Sequence, residues 1–205
     1  MDKIIEIQRK AGVARVKFLS GEELKIPSPL FVERRLRKGE MMDPAAYRMF
    51  MQQRGYPHAL EAAMKYLALR ERSAAEVRSR LKRSCYDEGT IERVLDALDA
   101  HGLVSDVRFA EGWAQSRSKK YGKARIAQEL KIKGVENDQA RQALDTISPE
   151  EEMIHALQQA KKMTRRLQSD PQKMIQALVR RGFAWPLAKK AVHQALLEEN
   201  ADGRG

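Results

Sequence analysis

The side chains in this sequence that could do chemistry are cations. Arg117, Lys119, Lys120, Lys123 and Arg125 crowd around Tyr121-Gly122, and Arg180-Arg181 form a second group. Lys161, Lys162, Arg165 and Arg166 make a third, and Arg34, Arg35, Arg37 and Lys38 a fourth. Cations at this density bind phosphates, with steep salt dependence. Lys and Arg also collect at solvated helix C-termini, where the helix dipole favours them. Four groups along one chain point instead to a continuous basic face. The residues expected to carry binding are Arg117, Lys119, Lys120, Lys123 and Arg125, with Arg180 and Arg181 behind them.

Catalytic patterns are missing. There is no Gly-rich phosphate loop, CxxC pair, HExxH or GxSxG. His58, His101, His155 and His193 fall in different elements without ligand spacing. Glu22-Glu23 lies beside a turn, and Glu150-Glu151-Glu152 follows Pro149, where negative charge suits a helix start. The expectation is a protein that is not an enzyme and uses no cofactor or metal. Trp113 and Trp185 fall on apolar helical faces and read as core residues, not stacking platforms.

What positions these cations is a repeat. Shifted by 48 or 49 residues, Val77 and Leu81 match Ile126 and Leu130, then Met174 and Leu178. Tyr86 matches Val135 and Phe183. Ile91, Val94, Leu95 and Leu98 match Ala140, Ala143, Leu144 and Ile147, then Ala188, Ala191, Val192 and Ala195. A period near 50 residues means stacked supersecondary units. Each reads as three helices, so the fold class is mainly all-α: three tandem three-helix, helix-turn-helix-like repeats in an elongated array. The expected repeats are residues 58–105, 106–148 and 149–200, with a disordered tail at 201–205. In the first, helix one is Leu60 to Arg70 with Met64 and Leu67 on its apolar face. Ser73 with Glu76 opens helix two as a capping box, and Asp87 caps helix three. Asp106 caps the first helix of the second repeat, and Asp170-Pro171 restarts the third.

Residues 1–57 read as an N-terminal extension. Ile4, Ile5 and Ile7, then Val13, Val16, Phe18 and Leu19, then Leu24 and Ile26 form short β-type runs. Turns at Ala11-Gly12 and Ser20-Gly21 predict a three-stranded meander or a long hairpin within residues 3–27. Two short helices follow, Leu30 to Lys38 and Pro44 to Gln53, and Gly55-Tyr56-Pro57 closes the region.

Composition narrows the partner class. The 205 residues carry a net charge of +11, with 42% hydrophobic and 33% charged residues. The charge divides as +5 for residues 1–57, −1 for 58–106, +4 for 107–148 and +3 for 149–205. Such a chain is drawn to polyanions or to an assembly that holds them. No apolar run reaches the roughly 18 residues of a membrane span, and the start MDKIIEIQRK lacks a signal peptide's apolar stretch. The lone Cys85 fits a reducing compartment. The expectation is a cytoplasmic protein, monomeric because an open array needs no symmetric partner.

Two stretches carry a family resemblance. They are YLALRERSAAEVRSRLKRS from Tyr66 and HGLVSDVRFAEGWAQSRSKKYGKARIAQELKIKGV from His101. Leu69, Arg70, Ser73, Glu76 and Leu81 carry it in the first. Gly102, Leu103, Asp106, Arg108, Phe109, Ala110, Arg117, Tyr121-Gly122, Ile126, Leu130, Lys133 and Gly134 carry it in the second. The combination resembles the RecX family of bacterial recombination regulators over about residues 60 to 200, with an N-terminal β extension like that of longer members. Cys85 departs from the pattern, since a Gly commonly ends that helix.

The resemblance implies a partner, the RecA recombinase. RecX-like proteins bind RecA nucleoprotein filaments in the helical groove. In most members this blocks filament growth and lowers ATP hydrolysis, strand exchange and SOS induction. Direct contact with single- or double-stranded DNA is then weak or indirect. The alternative is a helix-turn-helix-type protein acting directly on DNA.

Overall fold

The alternating apolar residues of the first 27 positions build a sheet with one wet and one dry face. The computed structural model describes residues 1–164 and 170–202. Strands β1 (Asp2–Lys10), β2 (Val13–Phe18) and β3 (Glu23–Pro27) form an antiparallel meander, and β4 (Met41–Met42) adds to β1, giving the order β3-β2-β1-β4. Ala11 and Gly12 both take positive φ, at 50° and 82°, as a two-residue hairpin turn of type I′ requires. Ile4, Ala14, Val16, Phe18, Leu24 and Ile26 fill the dry face. The expected meander is therefore present, and β4 is an addition, too short to leave a periodic signal.

Helix α1 (Ser28–Arg34) closes on this face. The next helix corrects the expected boundary. In place of two helices separated at Gly55-Tyr56-Pro57, α2 runs unbroken over Pro44–Leu67 with Pro57 inside it. A proline in a helix interior costs about 3 kcal/mol, and packing offsets it. Gly55 is buried on the side of α2 that faces Thr90 and Tyr86, where a Cβ would make ordinary contacts with Thr90 Oγ1 at 3.5 Å and Tyr86 at 3.8 Å. The buried face of α2 is also not the one expected. Tyr47, Gly55, Ala59 and Ala63 face inward, while Met64 is half exposed at 51%. Tyr47 donates its hydroxyl to the Leu30 carbonyl at 3.0 Å, and burial pushes its pKa up to about 12. Sheet, α1, α2, α3 (Ala74–Arg83) and α4 (Glu88–Ala100) share one core. They make up the first of two units, Met1–Ser105.

The second unit holds α5 (Asp106–Ser118), α6 (Lys123–Ile132) and α7 (Asn137–Asp145) around Phe109, Ile126, Leu130 and Ile147. It also holds α8 (Pro149–Lys161), α9 (Pro171–Arg180) and α10 (Trp185–Asp202) around Met163, Met174, Leu178 and Phe183. Helix α10 extends to Asp202, past the expected end at 200. The remaining tail residues, 203–205, and the cations Arg165 and Arg166 lie outside the described residues.

The repeat emerges as three equivalent helices, α3, α6 and α9, each 10 residues long. Their apolar pairs Val77 and Leu81, Ile126 and Leu130, and Met174 and Leu178 are all fully buried. Burial of such side chains is worth about 1.5–3 kcal/mol each. All three helices end alike. Cys85, Gly134 and Gly182 adopt positive φ of 64°, 77° and 90°. The following N–H groups of Tyr86, Val135 and Phe183 reach back to the carbonyls of Leu81, Leu130 and Leu178. This is the Schellman end. Cys85 therefore keeps the turn of its glycine counterparts, in a conformation that costs a residue with a Cβ about 1–2 kcal/mol.

Candidate functional site

Where α3 and α9 begin, a side chain caps the helix. Ser73 Oγ accepts from the Glu76 N–H at 3.1 Å, and Asp170 from the Lys173 N–H at 3.1 Å. The matching position before α6 is Gly122, which has no side chain to offer. The turn after α9 supplies the cap instead. The Gly122 N–H donates to the Arg181 carbonyl at 3.0 Å and the Ala124 N–H to the Gly182 carbonyl at 3.3 Å. Between them the Lys123 N–H points at Glu152 Oε1, 3.4 Å away. The free carbonyls at one helix end thus satisfy the free amides at another helix start.

The approach leaves no room for a side chain. A Cβ on Gly122 would lie 2.2 Å from the Gly182 carbonyl oxygen, and one on Gly182 would lie 2.5 Å from the Arg125 nitrogen. Buried Gln159 completes the joint: its amide donates to the Lys119 carbonyl at 2.8 Å, and its oxygen accepts from Arg181.

This joint brings two of the four expected basic groups together. Lys119, Lys120, Lys123 and Arg125 surround the start of α6, and Arg180 and Arg181 end the helix docked against it. Lys119, Lys120, Arg125 and Arg180 are exposed, and Lys123 and Arg181 half-buried. Among the described residues no ion pair engages the side chains of Lys119, Lys120, Lys123 or Arg180.

Arg117 sits differently from its neighbours. Its Nε and Nη2 make a bidentate pair with Glu129, both at 2.7 Å. Trp113 Nε1 donates to the same carboxylate at 3.1 Å, and Arg125 approaches it at 3.4 Å. The Arg117 guanidinium also lies 4.3 Å from the Tyr121 ring centroid, with Arg125 at 5.0 Å from it. The Arg117 hydrogen bonds hold the Glu129 carboxyl below its usual range, and the same bonds raise the guanidinium pKa. Arg117 pins α5 to α6 and gives shape to the corner that the lysines line. Sequence spacing did not single out Glu129, although a carboxylate four residues after Arg125 on one helix face is a readable signal.

The remaining groups lie on other elements. Lys161 pairs with Glu198, and Lys162 is exposed. Arg34, Arg35, Arg37 and Lys38 belong to the first unit.

The tryptophans divide. Trp113 is half-buried against the second repeat's core and stacks on Phe109 at 5.8 Å. Trp185 corrects the expectation that both are core: it is 57% exposed. It opens α10 just after the Gly182 turn, where the buried positions that follow are Ala188, Ala191 and Val192. Lys189 Nζ lies over its ring, 5.4 Å from the centroid. This exposed Trp follows Arg181 by four residues.

Among the described residues no group of His, Cys, Asp and Glu could hold a metal, and no helix is long and apolar enough to cross a membrane.

Comparison with known proteins gives this geometry a family. Residues 59–98 match the model for the RecX first three-helix domain, and residues 105–144 that for the RecX second three-helix domain. A regulatory protein RecX from Amycolatopsis mediterranei is 34% identical over 72% of this chain and 88% of its own. One from Leptothrix cholodnii is 34% identical over 68% of this chain and 90% of its own. The fold agrees with two crystal structures. One, of a regulatory protein RecX, has a TM-score of 0.62 at 23% identity, over 91% of this chain and 97% of its own. The other, RecX from Lactobacillus salivarius, has a TM-score of 0.63 at 22% identity, over 69% of this chain and 97% of its own. Capped helices, Schellman ends and the Tyr121-Gly122 joint thus sit on a shared scaffold, and the chain belongs to the RecX family of regulatory proteins.

Proposed function

We propose that this protein binds RecA nucleoprotein filaments in the helical groove. Bound there, it restrains filament growth, ATP hydrolysis, strand exchange and SOS induction in the cytoplasm. The observation that carries the reading is the convergence of Lys119, Lys120, Lys123 and Arg125 with Arg180 and Arg181 around the Gly122–Gly182 joint. A nucleoprotein groove offers phosphates beside protein surface. The patch matches both, with Lys119, Lys120, Lys123 and Arg180, which have no ion pair among the described residues, for the phosphates and exposed Trp185 for the protein, since Trp and Arg dominate interface energetics. Arg117, held by Glu129, positions the corner and does not reach outward. The action is that of a monomeric binding protein, without catalysis.

The test is RecA's single-strand-DNA-dependent ATP hydrolysis, titrated with this protein after filaments have formed. Inhibition well below one molecule per RecA subunit is expected, because competition for DNA cannot act at that ratio. Inhibition only when the DNA itself is saturated, or none, overturns the filament reading in favour of direct DNA binding.

A further inference from the structure

The wet face of the N-terminal sheet carries a second basic site, in the first unit. Its strand register sets residues in rows. In one row Glu6, Lys17 and Glu23 lie side by side, so the signs alternate, and Lys17 pairs with Glu6 at 3.2 Å. In the next wet-face row Gln8, Arg15 and Lys25 lie side by side. Arg15 and Lys25 are directly opposed like charges on strands about 4.8 Å apart, an arrangement that destabilises a sheet. Lys10 continues this end of the sheet, and Arg83 approaches it from the end of α3. Together they line an open cavity of about 460 Å3.

Among the described residues no carboxylate and no aromatic ring lines the cavity wall. Arg15 pairs with Glu23 at 3.2 Å, and Arg83 Nε donates to the Ser79 carbonyl at 3.3 Å. Lys10 and Lys25 have no ion pair among the described residues. Among the described residues, two of the three non-glycine residues with positive φ, Ala11 and Cys85, lie on the rim. The wall is thus built from two strained turns that converge on one concentration of positive charge.

We propose that this cavity holds phosphate groups of a nucleic-acid backbone, with Lys10, Arg15, Lys25 and Arg83 as the contacting residues. The absence of an aromatic platform removes base stacking, which single-strand readers use. All four cations are exposed, which suits a solvated backbone and not an enclosed nucleotide. An opposed Arg–Lys pair is relieved when an anion settles between them. The site does not depend on the filament reading, because naked DNA suffices to detect it.

The experiment uses the whole chain and a fluorescein-labelled oligothymidylate, with anisotropy read across a salt series. In Lys10→Gln/Lys25→Gln, affinity is expected to fall about tenfold at about 100 mM salt, and the log–log salt slope to shrink by about 1.4. Arg83→Gln approaches from the helical side and is expected to shrink the slope by about 0.7. Arg54→Gln/Lys65→Gln removes the same charge from α2, where the two cations pair with Glu33 and Glu61, and is expected to change neither quantity. Circular dichroism melts verify that each variant folds. An unchanged slope in the first two variants overturns the proposal, as does an equal loss in the Arg54/Lys65 control. Calorimetry with inorganic pyrophosphate separates the phosphate sources. Pyrophosphate binding that the double variant abolishes, with oligonucleotide binding intact, would mean a free-phosphate site and overturn the backbone assignment.

Discussion

Gly122 and Gly182 meet backbone to backbone, 60 residues apart in the chain, so that a Cβ on the first would lie 2.2 Å from the carbonyl oxygen of the second. At the same point in the other repeats Ser73 and Asp170 cap their helices. Gly122→Ser would therefore install the residue that works before α3. Here it is expected to destabilise by roughly 3 kcal/mol, as Gly122→Ala would, because backbone on both sides must move. Gly112 gives the contrast: it lies inside α5 with nothing within 4 Å of a Cβ. Gly112→Ala is expected to stabilise by about 0.5–1 kcal/mol. Urea unfolding of the three variants checks the signs.

The Glu129 carboxylate is shared by Arg117, Trp113 and Arg125. Its pKa is lowered in the folded state, chiefly by the Arg117 hydrogen bonds. Its contribution is thus present above the unfolded carboxyl pKa of about 4.3 and fades as pH falls through the folded value. Glu129→Gln is expected to cost about 2 kcal/mol near neutral pH. The gap from the native protein should close in acid, where the native carboxyl is itself protonated. Unfolding curves taken from pH 7 down to about pH 3 test this. A gap that stayed constant would mean packing, not charge, holds the corner.

Helix ends make a third case. Cys85 pays a Cβ penalty that Gly134 and Gly182 avoid at equivalent turns. Cys85→Gly should stabilise by about 0.5–1 kcal/mol, the relief being partly offset by glycine's freedom in the unfolded chain. Gly134→Ala should destabilise by about 1 kcal/mol. Thermal melts under reducing conditions compare the two.

The apolar repeat was legible because it is local. Val77, Leu81, Ile126, Leu130, Met174 and Leu178 are all fully buried, as their spacing predicts. Tyr86, Val135 and Phe183, one turn on, are buried too. What the spacing missed depends on tertiary contact. Pro57 reads as a break until Gly55 is seen packed beside Thr90 and Tyr86. Trp185 reads as core until α10 is found to bury alanines instead. The basic clusters were visible as composition, but their sorting was not. Glu129 ties up Arg117, and a glycine contact across 60 residues gathers Arg180 and Arg181 beside the lysines. No periodicity encodes either fact.

The surface around that joint gives the last prediction. Charge reversal of Lys119, Lys120 and Lys123 removes cations whose side chains no carboxylate engages among the described residues, so helicity and melting temperature should change little. Trp185→Ala truncates a side chain that is 57% exposed and should likewise cost under about 0.5 kcal/mol of stability. Both variants are expected to weaken binding to preformed RecA filaments by tenfold or more, since clustered charges and an exposed Trp are what such contacts use. Raising salt should narrow the deficit of the lysine variant, because screening weakens the native protein's charges too. It should leave the Trp185→Ala deficit in place. Co-sedimentation with filaments at two salt concentrations reads both effects. Native-like binding by both variants would move the contact surface away from this joint.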